Sequence, residues 1–126
     1  MLDFSLVTDF IPFLLQASVV TLEITVCSLA LGLVLGLIFC LMKISKIAPL
    51  VWISDFYIWV IRGTPMLVQL FLVYFGLPQI GIELSPFVSS VIALGINAGA
   101  YIAEIYRGGI MSIPKEYYEA LMIDGG

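Results

Sequence analysis

Three long apolar segments dominate the pattern of hydrophobic and polar positions along the chain. They cover residues 17–42, 64–80 and 86–106, and most charged residues fall between or beside them. About 20 mainly apolar residues in a helix are needed to cross the hydrocarbon core of a bilayer. The pattern therefore predicts three transmembrane helices with these bounds, of which the second has near-minimal length.

A shorter apolar and aromatic segment, residues 49–61, carries Asp55 between Trp52 and Trp59. Tryptophan favours the membrane–water interface, so we expect this segment to be an interfacial helix. It is followed by "IRGTP", where Gly63 and Pro65 disfavour a continuous helix. The alternative, one long tilted helix over residues 47–77, conflicts with this pair.

The last segment, residues 114–124, has the pattern of a short amphipathic helix. Tyr118, Leu121 and Met122 lie at i, i+3 and i+4 and form one apolar face. Pro114 suits the first turn, and Gly125 is a natural helix stop. About 16 Å of helix is too short to span a bilayer. Because its polar face is acidic rather than basic, a protein partner is favoured over a lipid surface.

The charges predict an orientation. Basic residues prefer short cytoplasmic loops. Three spans with the N-terminus outside and residue 126 on the cytoplasmic side place all five basic residues inside and Asp3, Asp9 and Glu83 outside. The basic residues are Lys43, Lys46, Arg62, Arg107 and Lys115.

Composition narrows the class of protein. Hydrophobic residues make up 62% of the chain and charged residues 11%, where soluble domains average about 25% charged. The lipid bilayer is therefore the expected surrounding. The chain has no histidine, and Cys27 and Cys40 lie too far apart on one helix for a disulfide. We expect no catalytic residues, no metal and no cofactor. With net charge −4 and no basic face, nucleic acid is not an expected partner.

Two helix faces stand out. On the first span, a stripe of small residues predicts close helix packing. It comprises Ser18, Thr21, Thr25, Ser28, Gly32 and Gly36. On the third span, small and polar residues share an arc of roughly 100°. They are Ser89, Ser90, Ala93, Asn97, Ala100, Glu104 and Arg107. Asn97 either joins helices or faces a solute path, and Glu104 either pairs with Arg107 or faces that path.

Several motifs resemble one family. "EALMIDGG" resembles the E-A-A-x-x-x-G signature of the membrane subunits of ATP-binding-cassette importers, with Leu121 in place of the second alanine. "RGTPMLVQLFLVYFGLP", "AYIAEIYRGGIMSIPKEYYEA" and "TLEITVCSLALGLVLGL" are similar to the polar amino-acid uptake branch, the histidine/glutamine permease group. The resemblance covers essentially the whole chain, and the two cytoplasmic motifs are specific when found together at this spacing.

The resemblance implies roles for individual residues. The signature region would be a coupling helix that docks on a separate ATPase subunit, through Lys115, Tyr118, Glu119, Ala120, Leu121, Met122 and Gly125. Arg62, Gly63, Thr64 and Pro65 would form the family's "RGTP" turn and, with Asn97 and Glu104, border the translocation path. No G-x-x-x-x-G-K-[ST] motif occurs, so ATP hydrolysis is expected in a partner rather than in this chain.

The resemblance also implies an assembly. Its expected members are an ATP-binding cassette ATPase dimer, a second permease subunit (identical or a sister chain) and an extracytoplasmic solute-binding protein, in the bacterial cytoplasmic (inner) membrane. Such permeases typically have five spans. We therefore expect an all-α membrane protein, with residues 1–126 forming a single transmembrane permease domain that is an incomplete five-helix fold, truncated at its C-terminal end.

Two other classes stay open from the residues themselves. One is a subunit of an ion-gradient-driven transporter or channel, and the other is a non-transporting membrane scaffold. Gradient-driven transporters often show inverted repeats and buried charge near mid-membrane, and neither is visible in this sequence.

Overall fold

The computed structural model describes residues 4–123, and every regular element in that part of the chain is helical. Five α-helices follow one another, and a π-helical and a 3₁₀ segment separate the third from the fourth. Their bounds are α1 Phe4–Ile44, α2 Ala48–Arg62, α3 Met66–Phe71, the π-helical turn Leu72–Gly76, the 3₁₀ turn Leu77–Ile80, α4 Pro86–Met111 and α5 Lys115–Ile123.

Helix α1 begins well before the predicted start at residue 17. Its 41 residues correspond to about 60 Å, twice the hydrocarbon thickness. The prediction was wrong because residues 4–16 are mainly apolar, and exposed polar side chains such as Asp9 do not interrupt a backbone hydrogen-bond ladder. The Thr8 hydroxyl donates to the Phe4 carbonyl at 3.0 Å, and Pro12 is accommodated inside the helix.

The predicted break at "RGTP" is confirmed. Helix α2 ends at Arg62, and the chain turns by 104° before continuing from Met66 to Ile80. The predicted helix 64–80 is divided into α3, the π-helical turn and the 3₁₀ turn. Helices α1 and α4 are each long and apolar enough to cross a bilayer, and the bent pair makes a third span if counted as one.

Helix α4 is also longer than predicted. Ser85 caps it by accepting a hydrogen bond from the Val88 amide at 3.2 Å. At the other end it continues through Gly108 and Gly109 to Met111, where a stop at residue 106 was expected. It ends three residues before Pro114, because a proline disfavours helical geometry in the residue that precedes it.

The core lies between α1 and α4, which run parallel. Gly32 faces Ala98 and Gly36 faces Ile102, so the residue numbers of the two helices increase in the same direction along their contact. A β-carbon on Gly36 would lie 2.6 Å from Ile102 Cγ2, which explains why glycine occupies this position. The predicted packing stripe is confirmed from Ser28 onward. Ser18, Thr21 and Thr25 are instead exposed and donate to carbonyls of their own helix.

Candidate functional site

The α2–α3 bend is closed by a glutamine side chain. Gln69 Nε2 donates to the carbonyls of Ile61 at 2.9 Å and Thr64 at 3.0 Å. Its Oε1 accepts from Asn97 Nδ2 of α4 at 3.2 Å, and the residue is only 7% exposed. At a break in a helix some carbonyls lose their regular helical partner, and Gln69 donates to two carbonyls beside this break. Asn97 therefore joins α4 to the bend.

A four-charge cluster lies where α1, α2 and α4 meet. Glu104 accepts from Lys43 Nζ at 2.9 Å through one oxygen and from Arg107 at 2.9 Å through the other. Lys43 Nζ also lies 3.2 Å from Asp55 of α2. The predicted pair of Glu104 with Arg107 is confirmed, and Lys43 and Asp55 extend it across three helices. Two cations and two anions balance within this cluster.

An open cleft of about 570 Å³ adjoins the cluster. Arg62 and Gly63 border it on one side and Tyr101 and Glu104 on another. The Arg62 guanidinium lies 5.5 Å from the centre of the Tyr101 ring, within the range of a cation–π interaction. The full lining is Lys43, Asp55, Ile58, Trp59, Arg62, Gly63, Tyr101 and Glu104. The cleft thus presents two cations, a guanidinium and an ammonium group, and two carboxylates to whatever enters it.

Helix α2 is fixed against both long helices by polar and aromatic contacts. The Tyr57 hydroxyl donates to the Ile96 carbonyl of α4, and the Tyr57 ring stacks on Phe39 of α1 with centroids 4.1 Å apart. Buried Ser54 donates to the Phe39 carbonyl at 2.7 Å. These contacts fix the position of α2, from which Asp55 reaches Lys43 of α1 and Arg62 reaches Tyr101 of α4.

Helix α5 lies apart from this bundle. It packs against no other helix within residues 4–123, and Tyr118 connects it to α4 by donating to the Ile110 carbonyl at 3.0 Å. Leu121 and Met122 are 59% and 77% exposed. Lys115 Nζ lies 3.7 Å from Glu119 on the exposed surface. Ala120 is also on this helix, whereas Gly125 lies outside the described residues.

The structure thus separates the predicted site residues into two groups. Arg62, Gly63, Thr64 and Pro65 form the bend, to which Asn97 is joined through Gln69. Of these predicted residues, Arg62 and Gly63 line the cleft together with Glu104. The α5 residues lie outside the bundle. Sequence reasoning missed Gln69, Tyr57, Lys43 and Asp55 as site residues. A glutamine and an aspartate within apolar helices were the available signals, since polar groups at membrane depth need partners.

Comparison with known proteins decides the family. Residues 28–125 match the family described as "Binding-protein-dependent transport system inner membrane component". The chain belongs to this family of transport permeases. The match includes the bend, the charge cluster and all of α5.

Individual relatives of the permease family are amino-acid transport proteins. The chain is 47% identical over 125 residues to the arginine transport system permease protein ArtQ of Bacillus subtilis, covering 98% of this chain and 57% of that protein. It is 43% identical over 112 residues to the L-cystine transport system permease protein TcyB of the same organism, covering 89% and 48%. A putative glutamine transport system permease protein of Rickettsia typhi is 40% identical over 111 residues, covering 87% and 51%.

The fold agrees with that of a solved amino-acid ABC transporter chain. A crystal structure of an amino acid ABC transporter with histidines superposes on 99% of this chain with a TM-score of 0.90 at 40% identity. This chain covers 58% of the matched chain, so it spans about half the length of the relatives it matches. The chain is an amino-acid ABC transporter permease by family.

Proposed function

We propose that this chain is a membrane-spanning part of a permease subunit that imports polar amino acids and is coupled through α5 to a separate ATPase. The observation that carries the proposal is α5 itself. It is a nine-residue amphipathic helix whose apolar side chains Leu121 and Met122 are 59% and 77% exposed, in a family of transport permeases. An exposed apolar helix face is suited to insertion into a groove of another protein.

The contact with the ATPase is modest for one α5. Burying the apolar face contributes roughly 25 cal/mol per Å² of apolar area, and much of this is offset by the entropy of association. Two permease subunits docking on an ATPase dimer gain avidity, because the second contact forms at high effective concentration. The ATPase hydrolyses ATP, and this chain transmits its movement to the membrane helices.

The uncoupling of ATP hydrolysis from uptake tests this role. In the full-length permease, we expect Glu119→Lys or Gly125→Asp to leave membrane insertion intact but to abolish the solute dependence of ATP hydrolysis. Glu116→Lys is the matched control, because it makes the same charge change on the same exposed helix outside the signature. Normal coupled uptake in both signature variants would refute the coupling role of α5.

The cleft beside the bend is the proposed part of the translocation path. Arg62 offers a cation for a carboxylate, and Asp55 and Glu104 offer anions for an ammonium group, which suits a zwitterionic amino acid. Lys43 and Arg107 already engage Glu104, so the more exposed Asp55 is the freer acceptor. Relatives named for arginine, cystine and glutamine transport support amino acids as the solute class.

The proposed orientation places the N-terminus outside and α5 in the cytoplasm of a bacterium, as the positive-inside rule requires. The assembly then needs a second permease subunit, an ATPase dimer inside and a solute-binding protein outside. The family description, which names dependence on a binding protein and the inner membrane, supports this arrangement.

A further inference from the structure

The bend between α2 and α3 creates a local hydrogen-bonding problem. Pro65 has no amide hydrogen, so it cannot donate the helical hydrogen bond to the Ile61 carbonyl four residues earlier. The Ile61 carbonyl accepts from the Thr64 amide at 3.3 Å, a long bond, and the Thr64 carbonyl faces Gln69. The adjacent cavity of about 180 Å³ is lined, apart from Gln69, by Ile, Leu, Val and Ala side chains. On that side, Gln69 is the polar side chain within reach of both carbonyls.

The two carbonyls dictate the orientation of both amides. A carbonyl only accepts, so the Gln69 atom that faces Ile61 and Thr64 must be the nitrogen. Its oxygen then faces Asn97, and the Asn97 atom that meets it must also be a nitrogen. We call these hydrogen bonds the amide relay: Asn97 of α4 donates to Gln69, and Gln69 donates to the carbonyls of Ile61 and Thr64 at the end of α2. Neither amide can be flipped without placing two acceptors together.

We propose that Gln69 is a positioning residue for transport: with Asn97 it holds the α2–α3 bend and thereby fixes Arg62 against Tyr101 at the cleft. The inference rests on the proposed transport function for its consequence, but its structural part stands alone. Arg62 is the last residue of α2, one position beyond the Ile61 carbonyl that Gln69 binds. Loss of the relay frees the end of α2 and moves the guanidinium relative to α4.

Two substitutions of Gln69 distinguish the effect of its hydrogen bonds from the effect of its side-chain volume. Gln69→Met keeps the volume and loses every polar contact, whereas Gln69→Glu turns a carboxylate oxygen toward two carbonyls. If the relay positions the bend, solute uptake is highest for the wild type, lower for Gln69→Met and lowest for Gln69→Glu. If the side chain only fills space, Met equals Gln. Asn97→Asp, which when ionised places a carboxylate oxygen against the Gln69 side-chain oxygen, should resemble Gln69→Glu.

The bend is measured by the distance between nitroxide labels at Trp52 and Phe75 in the full-length permease in lipid nanodiscs. Both sites are exposed, and Cys27→Ser removes the exposed native thiol. A straightened helix would lengthen this distance by roughly 10 Å relative to the 104° bend. We expect a narrow distribution for the wild type and a broad, longer one for Gln69→Met and Gln69→Glu. Gln79→Met, the same change at an exposed glutamine nearby, should leave it narrow.

Transport is measured with the same variants in the assembled transporter. We expect kcat/KM for solute uptake to fall about tenfold or more for Gln69→Met, because the Thr64 carbonyl loses its Gln69 donor and the end of α2 is no longer held to α4. Gln79→Met should keep wild-type uptake. An unchanged label distance in both Gln69 variants would overturn the proposal even if uptake fell. A changed distance with unchanged uptake would overturn the link to transport and leave the proposed permease function intact.

Discussion

Gly36→Ala is the sharpest test of the α1–α4 contact on which the site is built. An added β-carbon would lie 2.6 Å from Ile102 Cγ2 and 2.9 Å from Ile102 Cβ. It would also lie 3.1 Å from the backbone nitrogen of Ala103. Because the nearest groups include a branched carbon and a backbone atom, the two helices must separate to admit the methyl group.

The magnitude follows from a matched pair of helical glycines. At Gly108, an added β-carbon meets nothing within 4 Å. Alanine in place of glycine gains about 1 kcal/mol of helix propensity at either position. Overpacking a close contact costs about 1–3 kcal/mol. Since the propensity term is shared, the free energy of unfolding of Gly108→Ala should exceed that of Gly36→Ala by about 1–3 kcal/mol.

The assay is reversible unfolding of the purified protein in mixed micelles, with the fraction of SDS raised and helix content followed by circular dichroism. Gly108→Ala should unfold at or above the wild-type midpoint, and Gly36→Ala below it. Equal unfolding free energies for the two variants, within about 0.5 kcal/mol, would show that α1 and α4 are not in the described close contact.

Further predictions concern the charge cluster and the membrane topology. Glu104→Gln should destabilise the protein by about 1–3 kcal/mol in the same assay, because the partly buried carboxylate holds two cations. Glu119→Gln, which removes one exposed ion pair, should change the free energy of unfolding by less than about 0.5 kcal/mol. Equal effects of Glu104→Gln and Glu119→Gln would contradict the conclusion that the charge cluster stabilises the bundle. For topology, a reporter inserted after Gly81 should read outside and one inserted after Ser112 inside. The reverse pattern at either site would refute the proposed orientation.

Features that depend on neighbouring residues could be predicted from the sequence. The break at Gly63–Pro65 was predicted from a glycine and a proline close together, a pair that disfavours a helix, whereas Pro12 alone does not interrupt α1. The Gly32 and Gly36 stripe follows from helical periodicity, and so does the apolar face of α5. The pair of Glu104 and Arg107 is three residues apart on one helix, where side chains are adjacent by construction.

Features that join distant parts of the chain required the tertiary structure. Lys43 and Glu104 are 61 positions apart, and Gln69 and Asn97 are 28 apart. Periodicity says which face of a helix a residue occupies, but the parallel alignment of α1 with α4 and the 104° bend decide which faces meet. Glu104 had one predicted partner and has two, because packing brings Lys43 within hydrogen-bond distance while local spacing fixes only Arg107.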